Sequence, residues 1–145
     1  FQLGQGGKGD QTANGLSPEK AKTYEIGTRY NDDVWGGEVT LFYIDFDDEL
    51  QYISNDVGWT NLGATKHQGL EASMHYDLAA LDPSLDGLTA NAGFTYTRAS
   101  YEGEIPGFKG RDLPFYSRQV ATVGLRYDID RWTYNIDAFA QSTQH

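Results

Sequence analysis

Apolar and polar side chains alternate from Gly69 to Leu78, and this pattern constrains the fold more than any other feature of the chain. Successive side chains of a strand point to opposite faces of a sheet, so such a strand has one apolar face and one polar face. The pattern recurs along the chain, and few segments have helical periodicity. The apolar face must therefore be covered either by a second sheet or by lipid.

The composition excludes several classes of protein. The chain has 145 residues and no cysteine, which argues against a disulfide scaffold or a thiolate zinc site. Its net charge of −10 disfavours nucleic acid as a partner, because phosphate binding depends on clustered Lys and Arg. No run approaches the roughly 18 consecutive apolar residues of a membrane helix. Transmembrane strands remain compatible with the 39% hydrophobic content, because every second residue faces a polar lumen.

Periodicity and turn residues predict an all-β fold, an antiparallel up-and-down meander of about six strands. Residues 1–15 are rich in glycine and are predicted to form a loop or disordered leader. Ser17 and Pro18 are typical of the cap and first turn of a short helix. The strands are predicted near residues 23–30, 38–46 and 69–78, from 88 to 96 or beyond, near 119–127, and from 132 onward.

The second predicted strand is apolar in both phases, so alternation alone does not orient it. We expect Phe42, Ile44 and Phe46 to face outward with the other apolar side chains. Asp45 and Asp47 then point to the polar side.

The connections alternate in length, being short near residues 31–37, 79–87 and 128–131 and long near 47–64 and 98–116. Bacterial outer-membrane barrels have short periplasmic turns and long external loops. Tyr30, Tyr76 and Tyr127 each end an apolar face just before a short turn, and Trp132 follows one. Aromatic residues at matching heights predict a girdle at the membrane interface. The alternative is that tyrosine is simply a good strand residue.

Several segments, in order, resemble strands of TonB-dependent outer-membrane receptors, and the ferric citrate branch of that family is nearest. Residues 16–27 resemble its "L.PE....YE.G" strand, residues 39–45 its "LFYID" strand and residues 61–71 its "N.G....GLE" strand. Residues 111–117 resemble the loop segment before a late strand. The resemblance implies a protein of the bacterial outer membrane that imports ferric siderophores or ferric citrate-like chelates, with no permanently bound cofactor.

The family implies a 22-stranded transmembrane β-barrel with a plugged lumen. It also implies an N-terminal plug domain, a TonB box through which the TonB complex supplies energy, and contact with outer-membrane lipid and lipopolysaccharide. The sequence shows no plug-like segment, no TonB box and no closing strand with a terminal aromatic. Residues 16–145 are therefore predicted to be a late part of the barrel wall, without the plug domain and the final strands.

This interpretation gives the polar face and the second long loop distinct roles. The polar side chains predicted to line the lumen and contact the plug are Glu25, Arg29, Glu71, His75, Asn91, Arg126, Asn135 and Asp137. The side chains predicted to bind an anionic, partly aromatic ferric chelate are Lys109, Arg111, Arg118, Tyr101, Phe115 and Tyr116. The alternative is a solvated loop, which Glu102 and Glu104 favour.

The remaining motifs do not indicate catalysis or a metal site. Asp45, Asp47, Asp48 and Glu49 lack the spacing of a calcium loop, so we expect a solvated strand end, bridged to lipopolysaccharide phosphates by divalent ions. His67 and His75 lie about 26 Å apart along a strand, too far to share a metal. No acid, base and nucleophile set emerges, so we expect no enzyme.

The alternative to a membrane transporter is a soluble β-sandwich. In that case the apolar face packs on a second sheet, and exposed Trp35 and Trp59 stack on carbohydrate. Such a module is soluble without detergent, whereas a barrel wall exposes two strand edges and an apolar face.

Overall fold

One antiparallel sheet forms most of the structure, a computed structural model that describes residues 15–56, 58–103, 109–114 and 117–143. The order of its six strands is β1-β2-β5-β6-β7-β8, and β3 and β4 form a separate two-stranded hairpin. The strand bounds are β1 Lys20–Asn31, β2 Trp35–Asp47, β3 Leu50–Ser54, β4 Gly58–Asn61, β5 Thr65–Asp77, β6 Leu88–Tyr101, β7 Gln119–Ile129 and β8 Trp132–Gln141.

The predicted meander is confirmed, because neighbours along the main sheet pair antiparallel from β1 to β8. Most strands extend a few residues beyond their predicted bounds. β5 begins at Thr65, because that residue pairs with both Phe46 and Tyr101. β6 continues to Tyr101, in agreement with a strand predicted to run to residue 96 or beyond. The first long loop contains the β3–β4 hairpin. Short 3₁₀ turns at Leu78–Ala80 and Pro83–Leu85 connect β5 to β6.

The predicted helix after Ser17 was also wrong, since residues 16–19 are not helical and β1 begins at Lys20. Contacts with the hairpin replace the helical ones. The Ser17 N–H donates to Asn61 Oδ1 over 2.9 Å, and Glu19 accepts the Leu50 N–H over 2.8 Å. The predicted leader lies outside the described residues, apart from Gly15. In the described ranges no helix is long and apolar enough to cross a membrane.

The orientation expected for β2 was wrong, because Phe42, Ile44 and Phe46 lie on the polar face. Directly paired residues of antiparallel strands place their side chains on the same face. Phe42 pairs with Glu25 on β1 and Gly69 on β5, and Ile44 pairs with His67. A Cβ at Gly69 would lie 2.6 Å from the Phe42 ring, so the glycine leaves room for that ring on the polar face.

The apolar face of the sheet is uncovered in the part of the chain that the structure describes. Ile26, Val123 and Ile136 on this face are 73%, 60% and 71% exposed. The hairpin is the one other sheet in the described ranges, and its strands contact each other rather than the main sheet. The sandwich alternative is therefore wrong, since it requires a second sheet over these side chains.

Buried side chains gather at the end of the sheet that carries the long loops. The nearly inaccessible ones are Glu49, Thr65, His67, Ala99, Ser100 and Leu113. Here the two loops meet, because the carbonyl oxygen of Ala64 accepts the N–H groups of Glu102 and Gly103 over 2.9 and 3.0 Å. The compact part of the fold thus lies beneath the long loops, while the body of the sheet is a single layer.

Candidate functional site

The side chains predicted to line the lumen all lie on one face of the sheet. The register pairs His75 with Asn91 on β6, and it pairs Arg126 with Asn135 on β8. The same face carries the other predicted members, Glu25, Arg29, Glu71 and Asp137. Their common face agrees with the prediction, while their position along a lumen stays a prediction.

Two cations on this polar face are neutralised by acids. Arg29 Nε lies 2.8 Å from the Glu38 carboxylate, and Arg126 Nε lies 2.8 Å from Asp128. Glu38 was not predicted to lie on this face, because the orientation expected for β2 was wrong. Asp128 follows the predicted end of its strand, so no alternation pointed to it.

Two further carboxylates on the polar face are available to other molecules. Glu25 and Glu71 line one shallow hollow together with Thr40 and Thr97. Neither glutamate forms an ion pair within the described ranges. The hollow therefore presents acceptor oxygens to a molecule on the polar side of the sheet.

The outer face has aromatic side chains at its short-turn end, as predicted from Tyr30, Tyr76, Tyr127 and Trp132. Trp35 pairs with Tyr76, and the ring centroids of Trp35 and Tyr30 are 4.5 Å apart. Tyr127 pairs with Tyr134 of β8. Trp35 was predicted to lie in a turn, and Tyr134 was not predicted to belong to this border. That these rings form a membrane girdle stays a prediction.

A second aromatic border at the long-loop end of the same face was missed. Its members are Tyr24, Tyr43 and Tyr96. The Tyr24 and Tyr43 rings have centroids 6.3 Å apart. These tyrosines continue apolar runs, so no turn residue marked them in the sequence. The apolar band on the outer face is thus bordered by aromatic side chains at both ends.

The predicted ligand loop folds back along the end of β6. The Tyr101 N–H donates to the Arg111 carbonyl over 3.0 Å, and the Gly110 N–H donates to the Tyr101 carbonyl over 2.7 Å. Lys109 and Arg111 are exposed on this segment. Phe115 and Tyr116 lie outside the described residues. Their part in ligand binding, like that of the four described residues of this group, stays a prediction.

Asp112 forms ion pairs with two arginine side chains, Arg98 and Arg118. Its Oδ1 accepts a hydrogen bond from Arg98 Nε over 3.1 Å, and its Oδ2 is ion-paired with Arg118. The side chains of Arg98 and Arg118 remain 46% and 51% exposed. Arg98 and Asp112 were missed because they are 14 positions apart and meet only after the loop returns to β6.

Glu49 is buried, so its assignment to a solvated acidic strand end was wrong. Its carboxylate accepts a hydrogen bond from the Thr65 hydroxyl and lies 3.1 Å from His67 Nε2. The Glu49 N–H donates to Gly63 over 3.1 Å, and its carbonyl accepts the Leu62 N–H over 2.8 Å. Glu49 therefore fastens the base of the hairpin to the start of β5. No group of three metal-ligating side chains occurs among the described residues.

The short turns at the other end are closed by aspartates. Asp32 accepts hydrogen bonds from the Tyr30 hydroxyl and from the N–H groups of Trp35 and Val34, and these bonds lower the pKa of its carboxyl. Asp82 accepts the Ser84 N–H over 2.8 Å, which lowers the pKa of Asp82 in the same way. Both carboxylates therefore stay ionised at neutral pH and hold their turns closed.

A single-layer antiparallel wall with one apolar face, one polar face and alternating loop lengths defines a segment of a transmembrane β-barrel. The family model described as TonB dependent receptor-like, beta-barrel, matches residues 1–144. The chain belongs to this family of bacterial outer-membrane proteins, whose members are transporters and not enzymes.

Solved structures agree with this assignment. The chain is similar to the ferric citrate transporter FecA in the unliganded form, at 37% identity and a TM-score of 0.67. The matched region covers 88% of this chain and 19% of FecA. It is also similar in fold to the ferric yersiniabactin uptake receptor FyuA from Yersinia pestis, at 22% identity, a TM-score of 0.59, and coverage of 77% of this chain and 16% of that one. The chain thus spans less than a fifth of the length of each of these two proteins.

Proposed function

We propose that the chain is part of a TonB-dependent transporter that imports a ferric chelate of the citrate or siderophore type. The observation that carries this proposal is the 37% identity to the ferric citrate transporter over 88% of the chain. The two faces of the wall support it, because an apolar outer face suits lipid and a polar inner face suits a wet passage. The ferric chelate is the cargo, and the TonB complex supplies the energy.

The cations of the second long loop are the proposed ligand contacts. Lys109 and Arg111 add two positive side chains at the end of the wall that faces outside, where an anionic chelate arrives. Arg118, which is ion-paired with Asp112, adds guanidinium donors there. Guanidinium groups bind carboxylates in a bidentate manner, and the Tyr101 ring offers apolar surface to the organic part of the chelate. Phe115 and Tyr116 extend the same proposed surface.

The polar face is the proposed contact surface for the plug domain. Glu25 and Glu71 lie in one hollow and form no ion pair with the described residues, which suits basic side chains on the plug. The paired cations Arg29 and Arg126 are held by their acids and contribute hydrogen-bond donors rather than net charge. His75, Asn91, Asn135 and Asp137 continue this polar surface.

An uptake assay tests the function. The full-length receptor is expressed in cells that lack their own ferric chelate receptors, and entry of radiolabelled iron is measured with citrate and with a catecholate chelate. We expect saturable uptake of at least one chelate that stops when the proton-motive force is collapsed. Failure to take up any ferric chelate, with the receptor present in the outer membrane, would reject the proposed function.

Loop variants test the proposed contacts. We expect Lys109→Ala, Arg111→Ala and Arg118→Ala together to raise the KM for uptake at least about tenfold with little change in maximal rate, because charge-assisted hydrogen bonds to the chelate are lost. Arg131→Ala, in the short turn at the opposite end, is the matched control. An unaltered KM in the triple variant would show that the loop is only a solvated connection.

A further inference from the structure

The side chain of Asn61 joins the hairpin to residues 15–19, which we call the pre-β1 segment. Its Oδ1 accepts the N–H of Ser17 over 2.9 Å, and its Nδ2 donates to the Ser17 carbonyl over 3.0 Å. The same Nδ2 donates to the carbonyl of Asp48 over 2.7 Å. The amide group uses both its acceptor and its donors, so it binds the backbone of Ser17 much as a neighbouring strand would. Asn61 thus holds the pre-β1 segment and both ends of the hairpin region together.

Glu19 makes a second attachment between the pre-β1 segment and the hairpin. Its carboxylate accepts the N–H of Leu50, the first residue of β3, over 2.8 Å. Among the described strands, β3 and β4 pair only with each other. A two-stranded hairpin by itself is marginally stable at best. The orientation of this hairpin therefore depends on contacts at its base, where Glu19 holds one strand and Asn61 lies on the other.

Two residues separate Asn61 from the residue that holds the second long loop. The carbonyl of Ala64 accepts the N–H groups of Glu102 and Gly103 over 2.9 and 3.0 Å. Both intervening residues form hydrogen bonds with the backbone of Glu49, so the connector from Asn61 to Ala64 is fixed along its length. A displacement of Asn61 is therefore transmitted to the start of the second long loop.

The second long loop continues this series of contacts to its cations. The Gly110 N–H donates to the Tyr101 carbonyl over 2.7 Å, and the Tyr101 N–H donates to the Arg111 carbonyl over 3.0 Å. Lys109 and Arg111 flank Gly110 and are exposed. Tyr101 directly precedes the two residues that Ala64 holds. Hydrogen bonds and short stretches of backbone thus connect the pre-β1 segment with the backbone that carries both cations.

We propose that Asn61 is a positioning residue for the cations of the second long loop. It holds the pre-β1 segment against the hairpin, which fixes the connector to Ala64 and thereby the backbone of Lys109 and Arg111. The three external segments then move as one unit. The ligand role of the cations rests on the function proposed above, whereas the coupling of the segments does not. A series of hydrogen bonds offers a route for coupling, and a measured coupling decides whether the route is used.

Hydrogen exchange in the full-length receptor in detergent tests the coupling. In Asn61→Ala, we expect about tenfold faster exchange of the amides of the pre-β1 segment, the hairpin, residues 102–103 and Gly110, because three hydrogen bonds are lost. Asn55→Ala is the matched control, since Asn55 accepts a hydrogen bond from the Tyr52 hydroxyl within the hairpin. The control is expected to change the hairpin alone. Acceleration confined to the hairpin in Asn61→Ala would overturn the proposal.

The KM for uptake tests the positioning. In the uptake assay described above, we expect Asn61→Ala to raise the KM about fivefold with the maximal rate unchanged, because the cations are no longer held where the chelate binds. In a receptor that carries Lys109→Ala and Arg111→Ala, the same change is expected to leave the KM unaltered, since Asn61 acts through these cations. An effect that persists without the cations would contradict the proposal, and so would an unaltered KM in Asn61→Ala alone.

A second variant separates the possible outcomes. Glu19→Ala removes the other attachment of the pre-β1 segment, and it supplies both measurements if Asn61→Ala fails to assemble. We expect it to affect the same segments and to raise the KM in the same direction. An unmodified receptor that takes up no ferric chelate would reject the proposed function and the ligand role of the cations. The exchange measurement would still decide whether the three segments are coupled.

Discussion

Phe42 shows how a neighbour, rather than hydrophobicity, decides the face of a residue. Its ring lies over Gly69 on the polar face, where a side chain on β5 would collide with it. The Tyr96 carbonyl approaches the same glycine from β6. A strand that is apolar in both phases can face either way, and pairing with a glycine on the next strand settles the choice for β2.

Replacement of Gly69 tests this packing. We expect Gly69→Ala to destabilise the folded barrel by about 1–3 kcal/mol, because the new methyl group meets both the Phe42 ring and the Tyr96 backbone. The measurement is urea-induced unfolding of the full-length receptor in detergent. Gly103→Ala is the matched control, since a Cβ there would make an ordinary contact at 3.5 Å. A destabilisation no larger than that of the control would show that the sheet adjusts at this point.

At the scale of an element, the hairpin of β3 and β4 depends on a buried carboxylate. Glu49 joins the base of the hairpin to Thr65 and His67 of β5, and all three side chains are nearly inaccessible to solvent. The hairpin has no other extensive contact with the main sheet in the described ranges. Its position over the end of the wall therefore rests on this polar cluster and on the hydrogen bonds that Ser17 and Glu19 add.

Loss of the carboxylate is expected to release the hairpin. In Glu49→Ala, the Thr65 hydroxyl and the His67 ring are left buried without this acceptor, a cost of about 1–3 kcal/mol. We expect the amides of β3 and β4 to exchange with deuterium at least about tenfold faster, with the β6 and β7 amides unchanged. Asp47→Ala, at an exposed site on β2, is the control. Unchanged exchange in the hairpin would indicate that its backbone contacts alone hold it.

Much of the sheet was predictable from the sequence, while the loop contacts were not. Alternation fixed the main strands and the outward phase of Leu70, Leu125 and Ile136, because each lies in a strand with one apolar phase. Alternation did not determine which face of β2 points outward. It also gave no indication that Glu49 and His67, which are 18 positions apart in the sequence, are in contact. Such contacts depend on how a loop returns to the wall, which side-chain periodicity does not encode.

At the scale of the whole molecule, the wall formed by the described residues has two open edges. Every residue of β1 and β8 is exposed, and the outer face presents Ile26 at 73% and Ile136 at 71% exposure. A sheet with unpaired edges and an uncovered apolar face associates with other chains or with lipid. Neighbouring strands and a bilayer are thus the environment in which this wall is stable.

Expression of the 145-residue segment alone tests this requirement. We expect no monomer in water, because burial of the apolar face needs lipid, detergent or another copy. The measurement is analytical ultracentrifugation with and without detergent micelles. A stable monomer without detergent, with the strand content of the sheet by circular dichroism, would contradict the expectation. The full-length receptor in the same detergent provides the reference.

One carbonyl oxygen connects the two long loops, since Ala64 accepts the N–H groups of both Glu102 and Gly103. An insertion or deletion in either loop therefore disturbs the attachment of the other. Among natural relatives, the lengths of these two surface segments are expected to vary together rather than independently. Antibodies or bacteriophages that select for change in one loop would then reshape both.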